Sequence, residues 1–425
     1  MKFWSPCSFV LSAIISVASL AADLSREIVL TPQSGAARED VEIRHWQERA
    51  GASTAKADDF EKLGWAFVAK ARRTLDGAYY TLAEKTADAM DTQFGASAEA
   101  RSLRGHAWEN MHRFGDAEKL ARQLVAERGA PEDFALLSDA LMEQGRLGEA
   151  VATLQQLVNL KPGVEAYSRI AHVRWLKGDL PGAIAMMEAA ARATSPREAE
   201  VCAWTLARLA DFYLRAGRLD AASNAAEAAA TRVPDYPPAL LARGRGLLAQ
   251  EKISEAVTQL QRAAALNPLP DYQWWLADAL RAANRADEAA KIEAMLKTRG
   301  AASDPRTTAL FLATRGVEPA TAVRLAREEL ENRGDVFSHD ALAWALVASG
   351  EVAAADGEMR AALAEHTADA RLFFHAGEIA LARGARAEAE KFFAQARPLA
   401  AALTPAERAR LGSHAADAAA VAQTN

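Results

Sequence analysis

The chain has 425 residues, a formal net charge of −6, 50% apolar residues and 25% charged residues. This is the balance of a folded soluble protein long enough for two or three ordinary domains, and it excludes the basic face that nucleic acid demands. Ala dominates the apolar half and aromatics make up only 7%, so the composition leans towards closely packed helices.

From the N-terminus, Lys2, the apolar stretch Phe9 to Leu20 and the small residues of Ser19-Leu20-Ala21 predict a signal peptide over 1–21. The implied setting is periplasmic or secreted. The stretch falls well short of the ~20 residues that span a bilayer, so no stable membrane insertion is expected after cleavage. Cys7 precedes the stretch and is not placed as a lipoprotein acceptor. Cleavage leaves Cys202 as the only cysteine, and no internal disulfide. Between 22 and 56, Glu27 to Pro32 reads as extended and Arg38 to Ala50 as one short helix carrying Trp46.

A repeat organises most of the remaining chain. Six-residue turns ending in Ala recur, as in His112 to Ala117, Gly145 to Ala150, Gly178 to Ala183, Gly217 to Ala222, Glu251 to Ala256 and Asn284 to Ala289. After a blurred copy ending at Ala322 come Gly350 to Ala355 and Gly384 to Ala389. The terminal Ala positions are separated by 33, 33, 39, 34, 33, 33, 33 and 34 residues, the stride of a helical-repeat array. The 39 coincides with extra residues near Ser195-Pro196-Arg197-Glu198. Each copy reads as two amphipathic helices. In the copy from Pro131 to Pro162, Phe134, Leu137, Ser138 and Leu141 mark one face, then Ala150, Leu154, Leu157 and Val158 the next. A small residue inside the first helix (Gly64, Gly105, Ser138, Ala171, Ala210, Gly244, Ala277, Ala343, Gly377) permits close helix approach. The copy from Asp304 to Gly334 is poor, with Arg306 and Leu310 at expected core and small positions. Thr404-Pro405-Ala406-Glu407 predicts a capped final helix.

At these residues the chain resembles the tetratricopeptide repeat family over roughly 57 to 398, and it looks like exported, Ala-rich bacterial members. The resemblance implies an all-α, right-handed superhelical solenoid of about nine helix–turn–helix repeats with a C-terminal capping helix over 399–425. A catalytic constellation is not evident. His45, His106, His112, His172, His339, His366, His375 and His414 form no zinc-binding pair, and Cys202 has no partner for a metal site. Gly244-Arg245-Gly246 lies inside a helix with no preceding strand, so it is not a phosphate loop. The expectation is a protein that is not an enzyme and carries no cofactor or metal.

In the family, first helices line a concave groove, reached by the residue after the small one and by those one turn to either side. This implies a row of Trp65, His106, Asp139, His172, Asp211, Arg245, Asp278, Trp344 and Glu378. Neighbouring turns add Met142, Trp175, Trp204, Trp274, Arg281, Phe337, Asp340 and Phe374. Aromatic and Arg anchors suit a protein or peptide partner. Only Arg245 and Arg281 are basic here, with acids between them, so the family's clamp for a C-terminal carboxylate is absent. A scaffold for another protein is expected; alternatives are a glycan-binding solenoid, with the Trp row as platform, or an accessory subunit of a cell-envelope or secretion machine. Oligomeric state is left open.

Overall fold

The first residue of each aligned turn is the hinge between two helices. His112, Gly145, Gly178, Gly217, Glu251, Asn284, Gly350 and Gly384 all have left-handed backbone, with φ from 59° to 86°. That conformation reverses the chain within a few residues, so the second helix folds back on the one before it. A computed structural model describes residues 24–74 and 76–424, with side chains to 415. The expected signal peptide over 1–21, with Lys2 and Cys7, lies outside the described residues. Every described element is helical, and none is long and apolar enough to cross a membrane.

After a helical stretch at 24–30 and α1 (Arg38–Gly51) come ten helix–turn–helix units among the described residues. They are α2 (Ala57–Thr74) with α3 (Ala78–Phe94), α4 (Ala98–Asn110) with α5 (Phe114–Glu127), α6 (Pro131–Glu143) with α7 (Leu147–Leu160), and α8 (Val164–Leu176) with α9 (Leu180–Ala193). Next come α10 (Ala199–Arg215) with α11 (Leu219–Arg232), α12 (Pro237–Ala249) with α13 (Ile253–Leu266), and α14 (Pro270–Ala282) with α15 (Ala286–Ser303). The last are α16 (Pro305–Arg315) with α17 (Pro319–Asn332), α18 (Val336–Ala348) with α19 (Val352–Ala362), and α20 (Ala370–Ala382) with α21 (Arg386–Ala396). A 3-10 turn (Arg397–Ala402) and α22 (Pro405–Thr424) close the chain. The count is ten because the first copy, α2 with α3, precedes the nine units marked by the aligned turns, and the blurred copy, α16 with α17, is a complete unit among those nine. Residues 24–30 are helical, which overturns the extended reading of Glu27 to Pro32 over its first four residues: Val29 is fully buried, and Gln47 donates to the carbonyls of Val29 and Thr31.

The chain divides into two units, residues to Leu141 and residues from Met142. In the first, Val29, Ile43, Phe60, Leu63, Phe67, Met90 and Leu103 form one core. Gly105 there lets Leu136 of the next first helix close in, since an added Cβ would meet it at 2.5 Å.

In the second unit the same device works within a repeat: a Cβ on Gly244 would lie 2.5 Å from Leu260. The unit also makes contacts that neighbour stacking does not predict. Trp175 Nε1 donates to Ala368 O (3.0 Å), Thr367 Oγ1 to Leu176 O (2.6 Å) and Lys177 Nζ to Glu365 (2.6 Å), while Arg333 pairs with Glu143. The partners stand 188 to 193 residues apart. Backbone meets backbone along this seam, Gly145 against the carbonyl of Gly334 and Gly178 against that of His366. The 3-10 turn and α22 continue it, packing on α10, α12 and α14, where Arg408 donates to Leu248 O at 3.2 Å. Residues 142–425 thus coil until early repeats touch late ones.

Gly178 tests the seam. Its φ is +82° and a Cβ would lie 2.6 Å from His366 O, whereas Gly350 has φ +86° and open space around it. Gly350→Ala carries only the left-handed cost, roughly 1–2 kcal/mol. Gly178→Ala should lower the urea midpoint further than Gly350→Ala; equal shifts would show that the seam contributes nothing.

Candidate binding cavity

Helix period sets the site. On α10, Trp204, Ala207, Arg208, Asp211 and Arg215 recur at three and four residues, so one face turns a Trp, two Arg and an Asp to the same side. Beside it α8 presents His172 and Trp175, α12 presents Leu241 and Arg245, and α14 presents Asp271, Tyr272 and Trp275. From across the seam come Arg306, Arg333, Asp335, Phe337, Asp340, Asp369 and Arg371. Together they enclose a cavity of about 560 Å³ within the second unit, in the size class that holds a small molecule or a few peptide residues. Six arginines and seven carboxylates line it.

Most of these charges answer one another. Asp211 accepts from Arg215 (2.8 Å) and Arg245 (2.6 Å), and Arg215 also pairs with Asp369 across the seam. Burial would raise the Asp211 pKa, but Arg215, Arg245 and Arg208 hold it well below the ordinary carboxylate range. Asp335 accepts from the backbone N–H groups of Phe337 (2.8 Å) and Ser338 (2.9 Å), capping α18, and binds Arg306 at 2.9 Å. Burial opposes the charge on Arg306, and Asp335 more than restores it. Trp175 is 4% exposed, stacked on Phe337 at 5.2 Å with the Arg215 guanidinium 4.1 Å from its ring. Arg245 lies over Trp275 at 4.7 Å. Burial, then the charges of Arg208 and Arg215, push His172 down to about 3, so it is a neutral acceptor at physiological pH.

Of the residues expected to line a groove, the cavity brings together Met142, His172, Trp175, Trp204, Asp211, Arg245, Phe337 and Asp340. Six others in this unit lie elsewhere, among them Phe374, which is 1% exposed and packs near Trp344. Trp274 is 1% exposed with the Arg371 guanidinium 4.8 Å from its ring, and Arg371 binds Glu407 at 2.8 Å. Asp278 pairs with Arg315, and Arg281 is an exposed partner of Glu293 at 2.6 Å. Trp344 stacks on His375 at 4.0 Å and donates to Thr314 Oγ1 at 3.0 Å. Glu378 binds Arg410 and His414, the latter at 2.7 Å. The reason at Trp274, Asp278 and Glu378 is one segment: the chain's own end from Thr404 onwards lies against these positions. The first unit holds Trp65, His106 and Asp139; Trp65 is 37% exposed, with its ring 5.4 Å from that of His106, and Asp139 is half-buried.

Residues the sequence reading missed include Arg208 and Arg215, each one turn from Asp211, and Asp271 and Trp275, one residue or more out of register with Trp274 and Asp278. The helical period around Asp211 carries the signal for the first pair. The rotation of α14 that chooses Trp275 over Trp274 depends on what covers the other face.

A scaffold of tandem helix pairs around a polar, aromatic-walled cavity is the class this geometry defines. Sequence comparison agrees over part of the chain: the tetratricopeptide repeat model matches residues 102–163, 135–198 and 241–305, so these stretches are tetratricopeptide repeats. A comparison with curated proteins returns no match. Similar solved structures include the human IFIT1 dimer with m7Gppp-AAAA, at 13% identity over 89% of this chain and 99% of that one, TM-score 0.49. The APC/C hetero-tetramer Cut9–Hcn1 gives 13% identity over 88% and 96%, TM-score 0.38, and MamA gives 20% over 39% and 94%, TM-score 0.32. Tetratricopeptide repeats in general are scaffolds for protein interaction.

The His172 pKa gives a pH test. Because its folded value, about 3, lies below the ordinary 6.5, its share of stability is full above pH 6.5 and declines as pH falls towards 3. His172→Asn keeps an acceptor near Arg208 without a titrating ring. The variant should show a shallower loss of urea midpoint between pH 6.5 and about 4.5; an unchanged slope would mean that His172 is protonated in the folded protein.

Proposed function

We propose that the chain is a non-catalytic scaffold that holds a segment of a partner protein or peptide in the cavity of residues 142–425. The observation that carries this reading is the commitment of the cavity's acids and bases to one another. Asp211, Asp335 and Asp369 are each bound by Arg, and His172 is neutral, so these groups serve as fixed dipoles and charges for recognition. Proton transfer would need one of them released. The aromatic wall supplies apolar area, and Trp204 keeps part of its surface within the cavity. Of the Trp row on which a glycan platform would depend, Trp175, Trp274 and Trp344 are 4%, 1% and 5% exposed and contact the protein itself, which favours the peptide reading. Lys2 and the apolar stretch to Leu20 support an exported, periplasmic or secreted setting.

The test is capture of partners from an extract of exported proteins of the native host by the immobilised full chain. Trp204→Leu should weaken capture of specific partners at least tenfold while circular dichroism stays unchanged, and Trp65→Ala in the first unit should leave capture intact. Loss with Trp65→Ala and none with Trp204→Leu would move the site to the first unit and overturn this assignment.

A further inference from the structure

Two side chains in the cavity are left over once its ion pairs are made. Arg208 forms no ion pair among the described residues; one guanidinium N–H donates to His172 Nδ1 at 3.4 Å, and the group lies 5.9 Å from the Phe212 ring. Asp271 makes neither a hydrogen bond nor an ion pair among the described residues, and stands in the first turn of α14 at the cavity wall. Arg245 is a neighbour of both, with a buried Nε that has no hydrogen-bond partner. Each leftover charge is held at a cost. Burial lowers the Arg208 pKa, Asp211 opposes that, and Arg215 and Arg245 add to the lowering. Burial raises the Asp271 pKa against the pull of Arg245 and Arg371. Both groups are half-buried at the cavity wall; a charge partly withdrawn from water without an ion-pair partner is costly, and here there is one of each sign in one cavity.

The geometry points to a small zwitterion as the occupant: a free amino acid or short peptide, its carboxylate against Arg208 and its ammonium against Asp271. This deepens the reading above and rests on that cavity being the binding site. A carboxylate accepts from the planar guanidinium fork of Arg208. An ammonium gives Asp271 the counter-charge it lacks. An anion alone would leave Asp271 unanswered and repel it; a cation alone would do the same to Arg208.

The experiment uses the full chain and alanine oligomers of one to four residues, which span up to roughly 14 Å when extended. Each is offered free, N-acetylated, C-amidated and blocked at both ends, with calorimetry and thermal midpoint as readouts. One length should bind, and blocking either end should weaken it at least tenfold. Asp271→Asn should abolish the penalty for N-acetylation alone, and Arg208→Gln that for amidation alone. Asp271→Asn should keep or raise the midpoint of the empty protein, because it removes an unanswered charge; a structural role would lower it. Equal binding of free and N-acetylated peptides would overturn the zwitterion in favour of a protein's C-terminal tail, leaving the scaffold reading standing. Absence of binding at 10 mM by every oligomer overturns the inference, and the capture experiment decides separately whether the scaffold reading falls with it.

Discussion

The seam between early and late repeats is the constraint on which the second unit depends. A stack of helix pairs ordinarily gains stability from nearest neighbours alone, so its ends open independently. In residues 142–425, Trp175 donates to Ala368, Thr367 to Leu176, and Arg215 binds Asp369. These bonds join repeats that are far apart in sequence. Opening one end then costs contacts at the other, and the unit acquires the all-or-none character of a closed domain. Closure also makes the cavity: without the far side of the seam, Asp335, Phe337 and Asp369 would not face α8 and α10.

Enclosure raises the stakes for every charge on the inner face. An exposed ion pair is worth little, whereas a buried one must recover a large desolvation cost through geometry and multiple partners. The chain meets this by sharing. Asp211 serves Arg215 and Arg245; Arg215 serves Asp211 and Asp369; Asp335 caps α18 while binding Arg306. Such networks fix side chains that would otherwise wander, because each Arg is held at two points or stacked on a ring, as Arg215 is on Trp175 and Arg245 on Trp275. The cavity is therefore organised before anything enters it, which reduces the ordering cost of binding.

The stride of the repeat, the turns and the small residues were legible because each is a local requirement. A left-handed hinge wants Gly or Asn, as at Gly145 and Asn284, and close helix contact wants Gly or Ala, as at Gly244. The groove row was legible in part for the same reason, since the face of a first helix is set by its period: His172, Asp211 and Arg245 do line the cavity. Trp274, Asp278 and Glu378 depart from the row because of where the end of the chain returns. Thr404 and Glu407 announce a helix cap, and the structure shows the reciprocal bonds of a capping box (2.9 and 3.4 Å). Nothing in that motif says that the same Glu407 reaches Arg371 and so helps to cover Trp274. Long-range placement of this kind is set by the superhelical pitch, which the sequence states only as a period. Residues 27–30 departed from expectation for the opposite reason: a run of Ile, Val and Leu suits a strand locally, and only Gln47 and the burial of Val29 against the first unit's core choose the helix.

The end of the chain also shows what the inner face accepts. The segment from Arg397 to Leu411 lies against α10, α12 and α14, and it is held by Arg371 on Glu407, Arg408 on a carbonyl of α12, and the burial of Leu403 and Leu411. This is a short stretch of polypeptide bound to first helices through charge-assisted hydrogen bonds and two apolar anchors. The surface of the cavity next to it is built from the same groups, guanidinium, carboxylate and indole, at the same helical spacing, but with Arg208 and Asp271 unanswered. Where the chain supplies its own occupant, Glu407 answers Arg371; where it does not, two charges of opposite sign remain without ion pairs, and stability has been given up at the positions a ligand would need.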